Sequence, residues 1–171
     1  MSYIAGIDFL NTKLSPFVQV EDRHRIRFRI ETLSIGAFKA LLEQLSSDLS
    51  TLVFTKKLES YGPMKTFYLH RYIKISNWQV LPCAIDRLYF VKVQHIDRED
   101  IIQLFKAYRR KRSMPLLMYF YNDQTVMRLS PIYLDIISDD IDLIDELKHC
   151  FAQRVTEFDG LPVISEEEWL K

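Results

Sequence analysis

A chain of 171 residues, 48% of them hydrophobic and with eleven Phe and nine Tyr, has the material for one buried core and falls outside the disordered class. Four glycines leave little for a glycine-rich phosphate cradle, and two cysteines do not make the disulfide framework of a small secreted protein. Lys/Arg and Asp/Glu balance at 23 each, yet unevenly: residues 1–134 hold 20 basic against 12 acidic side chains, and residues 135–171 hold 3 against 11.

That asymmetry has two readings. Either a basic surface binds a partner while an acidic appendage trails it, or the acidic end folds back on the basic body. The zero net charge also favours self-association, because copies of the chain do not repel one another. The N-terminus lacks a basic start and meets Asp8 too early for a signal peptide. The longest apolar run, residues 115–121, is too short to cross a bilayer. A cytoplasmic protein away from membranes is expected, with Cys83 and Cys150 as free, buried or half-buried thiols.

In chain order, residues 17–31 read as the first strand, alternating Ile26, Phe28 and Ile30 against arginines. Ser34 then caps a helix, with Leu33 and Phe38 as its hydrophobic staple and Ala37, Phe38, Leu41, Leu42 and Leu45 as its apolar face. Residues 51–55 form a short strand, and a turn at Tyr61-Gly62-Pro63 leads to a longer one over 65–75. Residues 88–93 are the next strand. Asp97 caps a second helix, stapled by Ile96 and Ile101 and buried through Ile101, Leu104, Phe105 and Tyr108. Strands at 116–121 and 125–129 flank a hairpin turn at Asn122-Asp123-Gln124. A third helix starts at Ser138, with Asp139, Asp140 and Asp142 in its first turn, and buries Ile141, Ile144, Leu147 and Phe151.

These elements predict one α+β domain spanning residues 1–171. Its antiparallel-rich sheet is built from two strand-helix-strand-strand halves, 17–81 and 82–135, followed by an acidic C-terminal helix and tail over 136–171. The helices pack on one face of a single sheet, or two such modules sit side by side. From Ser34 onward the order helix, three strands, helix, two strands, helix resembles the fold of secretion chaperones, which hold a partner segment on a concave sheet. The resemblance is topological and carries no motif, and the strand at 17–31 departs from it. Tyr3-Ile4-Ala5-Gly6-Ile7-Asp8 partly resembles the LAGLIDADG signature of homing endonucleases. Phe9-Leu10-Asn11 replaces its acid-glycine ending, so no catalytic role passes to Asp8.

Three groups of residues are candidates for binding. Alternation puts Arg23, Arg25, Arg27 and Arg29 on one face of the first strand at about 6.6 Å intervals. That spacing suits successive phosphates or an acidic protein segment, or equally a row of ion pairs with neighbouring strands. Tyr68, His70, Tyr72 and Lys74 share a face of the 65–75 strand and could stack bases or pack against a second subunit. Arg109, Arg110, Lys111 and Arg112 end the second helix, where they complement its dipole or meet an anion. The four histidines, His24, His70, His95 and His149, lie on separate elements without metal-site spacing, so no metal or cofactor is implied.

No acid–base or nucleophile constellation stands out, and an enzyme is not expected. The sequence favours a non-enzymatic binding or assembly protein whose partner is another protein or a second copy of itself. The alternative is a nucleic-acid binder using the arginine strand and the basic helix end.

Overall fold

Strand, helix and turn signals combine into one seven-stranded antiparallel sheet in the computed structural model. It describes residues 3–4, 7–8, 11, 14–45, 49–57, 69–75, 77–82, 88–110, 115 and 118–157. A two-stranded hairpin, β1 (Tyr3–Ile4) and β2 (Ile7–Asp8), and a short helix, α1 (Pro16–Gln19), come first. Then follow β3 (Arg25–Arg29), α2 (Ile35–Gln44), β4 (Thr51–Lys57), β5 (Trp78–Pro82), β6 (Leu88–Gln94) and α3 (Arg98–Arg109). The chain continues through β7 (Met118–Tyr121), β8 (Thr125–Leu129), β9 (Tyr133–Ser138) and α4 (Ile141–Cys150).

The large sheet runs β3-β9-β8-β7-β4-β6-β5. The first strand-helix-strand-strand half ends in β5 instead of the expected strand over 65–75, the second is β6-α3-β7-β8, and the two interleave rather than sit side by side. β4 lies between β6 and β7, and β3 pairs with β9 at the far edge.

The three longer helices, α2, α3 and α4, each begin where a side chain satisfies an orphan amide. Ser34 Oγ accepts from the Ala37 amide at 3.1 Å, and the staple residues Leu33 and Phe38 are both fully buried. Asp97 and Asp100 form a reciprocal capping box at α3. Burial pushes the Asp100 carboxyl above the usual carboxylate range, against the lowering effect of its bond from the Asp97 amide. α4 starts later than its sequence suggests. Ser138 ends β9, and Asp140 is the cap, accepting from the Leu143 amide at 3.1 Å. Ile144, Leu147 and Phe151 are buried as expected, whereas Ile141 is only half-buried. Cys150 is a free, exposed thiol at the helix end rather than a buried one; Cys83 lies outside the described residues.

The main core lies between the helices α2, α3 and α4 and one face of the sheet. Phe38 of α2 stacks on Phe105 of α3 with centroids 3.8 Å apart, and Phe28 of β3 meets Phe151 edge-on at 6.0 Å. Ile26 and Phe28 point into this core, so Arg25, Arg27 and Arg29 point to the other face, where α1 places Phe17. The hairpin turn is built as read: Asn122 Oδ1 accepts from the Gln124 and Thr125 amides, both at 2.8 Å.

Residues 69–75 are not a strand. Leu69–Arg71 is a 3-10 turn, with Leu69 O accepting from the Tyr72 and Ile73 amides. Leu69 and Ile73 are both buried, and a separation of four residues fits a helical turn as well as an alternating strand. The segment 61–68, including the expected turn and Tyr68, lies outside the described residues.

Candidate interface

The arginines of β3 face a neighbouring strand that supplies their counter-charge. Register pairs Arg27 with Asp135 of β9, Asp135 with Arg128 of β8, and Arg128 with Tyr119 of β7, so all four share a row on one face. Arg27 Nε and Nη2 donate to the two Asp135 oxygens at 2.6 and 2.7 Å, a fork-to-fork ion pair with partners 3% and 1% exposed. Arg128 Nη1 reaches the same carboxylate at 3.4 Å and donates to Ser15 Oγ at 2.7 Å. The Arg27 guanidinium also lies between two rings, 4.1 Å from Phe17 and 4.4 Å from Tyr133.

The outer arginines are engaged as well. Arg25 Nε donates to Asp22 Oδ1 at 2.9 Å, and its Nη1 donates to the Phe17 carbonyl. Arg29 is the more open, 3.9 Å from Glu31 and 5.7 Å from the Tyr133 ring. Arg23 departs from the ladder: it lies in the 3-10 turn before β3 and pairs with Glu21 at 2.9 Å. The expected four-arginine strip is therefore three residues long, and its central member is sealed inside the protein. Alternation places the arginines on one face correctly, but only the strand pairing reveals Asp135 opposite.

Tyr119 closes the row. It is fully buried, and loss of water raises its phenol to about 12, with nearby Arg128 pulling it down and Asp135 and Asp8 pushing it up. Tyr108, equally buried on α3 and donating to Pro115 O at 2.7 Å, is raised further for the same reason. A carboxylate 1% exposed and a phenol 1% exposed are out of reach of a substrate. The row's geometry is that of a structural lock.

The other sequence candidates do not join it. Arg109 and Arg110 are exposed at the end of α3, in the helical layer, whereas Arg25, Arg27 and Arg29 face the opposite side of the sheet. Lys111 and Arg112 lie outside the described residues. Tyr72 is half-buried against the core and Lys74 is exposed, and the 3-10 turn at His70 removes the shared strand face. Among the described residues no cluster of three or more His, Cys, Asp or Glu could hold a metal, and no helix is long and apolar enough to cross a membrane.

A groove of about 370 Å³ runs between β3, α1 and the end of α4, lined by Asp22, Arg25, Arg27, Lys148 and Thr156 among others. Its cations already have partners in the fold: Lys148 Nζ donates to Asp22 O at 2.6 Å, and Arg25 and Arg27 are held as above. No family model, curated protein or solved structure matches the chain.

The opposite end of the sheet is different. β5 hydrogen-bonds β6, and among the described residues no strand pairs with its outer side. Its five residues, Trp78-Gln79-Val80-Leu81-Pro82, carry no charge. Trp78 is 66% exposed and Val80 49%, although both share a face with the buried Val93 and Val91 of β6. This strand is missing from the sequence reading. Its signal was present: Trp and Val suit a pleated surface, and a terminal Pro is tolerated on an edge strand.

Proposed function

We propose that this protein is a non-enzymatic binding protein that takes an extended segment of a protein partner onto the free edge of its sheet, along β5. The observation that carries this reading is an edge with no strand on its outer side among the described residues. Folded proteins ordinarily protect an edge strand with charges, proline, a bulge or a covering element, because its outward amides and carbonyls are a template for another strand. Within its own sequence β5 has such a device only at its last residue, Pro82. β5 has no charged side chain, and it displays Trp78 and Val80 on the face where a partner's side chains would lie. A partner strand would gain backbone hydrogen bonds along the edge and apolar contact with Trp78, the usual basis of strand addition. The buried arginine row supports the same reading from the other side, since it turns Arg27 and Arg128 into internal structure.

Selection of peptides from a random display library on the immobilised protein tests this. The selected peptides are expected to be apolar at alternate positions and to slow hydrogen exchange in β5. Undiminished binding by a Val80→Lys variant, or protection that avoids β5, would refute it.

A further inference from the structure

Resting on that reading of β5 as a strand acceptor, we propose that the strand it accepts is β5 of a second copy, paired antiparallel about a two-fold axis at Val80. Three observations point to a copy of the same chain. The first is electrostatic: the chain is neutral, with 23 basic and 23 acidic side chains, and β5 itself is uncharged. Neither the whole molecules nor the facing residues repel, whereas like charges directly opposite would destabilise the pair.

The second is register. With Val80 opposite its own symmetry mate, Trp78 falls opposite Pro82 of the second copy, and Gln79 opposite Leu81. Trp78, Val80 and Pro82 share one face of the strand, so the apolar groups of both copies form a single row. The pairing would continue the antiparallel order and join two seven-stranded sheets into one.

The third is closure. An edge-to-edge contact builds fibres when both edges of a sheet are open, and a closed dimer when one is. The β3 edge is occupied: Val155 bridges Phe28, and the Thr156 amide donates to Arg27 O at 2.8 Å. Pairing through β5 therefore uses the edge that no strand occupies among the described residues, and stops at two. Five residues per strand bury less than the roughly 1,200–2,000 Å² of a stable interface, so the dimer is reversible and concentration-dependent.

Sedimentation velocity between about 1 and about 500 μM reads this directly. The mass is expected to rise from the 20.4 kDa monomer toward twice that value. Val80→Lys and Val80→Glu variants should each stay monomeric while keeping the wild-type circular dichroism. An equimolar mixture of the two should dimerise, because the ammonium of one then meets the carboxylate of the other across the axis. A wild-type protein monomeric at the highest concentration, a variant that dimerises like wild type, or a mixture that stays monomeric would overturn the proposal. A monomeric wild type that still selects Val80-dependent peptides removes the self-pairing alone; one that selects none removes strand acceptance as well.

Discussion

At one edge of the sheet Arg27 is gripped by Asp135, flanked by Phe17 and Tyr133, and crossed on its outer side by Val155 and Thr156. At the other edge Trp78 and Val80 stand in solvent on a strand without a charge. The charged strand is thus the sealed one and the uncharged strand the open one, the reverse of what composition suggests. Charge on a strand marks an outward face only when no counter-charge lies across the ladder. Where a carboxylate sits opposite, the same arginine becomes an internal tie.

The largest expected effect separates the two edges by stability. Asp135→Ala leaves Arg27 and Arg128 buried without their shared carboxylate, and should cost about 3–5 kcal/mol. Denaturant unfolding measures it; a loss below about 1 kcal/mol would mean that the buried row is not a lock. Tyr119 gives the next effect, through pH. Its phenol is raised to about 12 when folded and titrates near 10 when unfolded. Its contribution is therefore complete below pH 10 and is lost as the pH rises toward 12, by up to about 3 kcal/mol. Unfolding curves at pH 9 and 11.5 should show that loss, with part of it absent in Tyr119→Phe.

A smaller effect belongs to the segment covering β3. Thr156→Pro removes the amide that bonds Arg27 O, and about 1 kcal/mol of stability is expected to go with it. If β3 is thereby opened, assemblies larger than a dimer should appear in sedimentation, because each copy then has two open edges. The smallest effect on stability is expected at the other end. Val80→Lys should change the unfolding free energy by less than about 0.5 kcal/mol, since the side chain is half in solvent already. A large loss there would show that β5 is packed rather than open.

Much of the helical layer was legible from local chemistry. Ser34, Asp97 and their staples are short-range devices, and each works within a few residues of itself. The Asn122 turn is equally local. What escaped was set by partners distant in sequence. β9 contains Asp135 in mid-strand, a residue type depleted in strands, and it is tolerated there because Arg27, 108 residues away, neutralises it. The segment 65–75 showed the opposite failure, since Leu69 and Ile73 satisfy two periodicities and the turn at Leu69–Arg71 decided between them. Of the candidate residues, the arginines of β3 were rightly grouped, but their grouping concerns the interior. β5 carried its apolar surface in plain view, shortened by the proline that ends it.

The pairing of β3 with β9 has a consequence for how the chain acquires its shape. β4, β6 and β7 are joined by connections within the middle of the chain, but β3 must wait for a strand that begins at Tyr133. Closing so long a loop is entropically slow, and native pairings at such separation lengthen folding times. During synthesis the arginine strand leaves the ribosome early and stays without its carboxylate until the last strand emerges. The first strand of the large sheet to be made is then expected to pair late, after β9 has emerged.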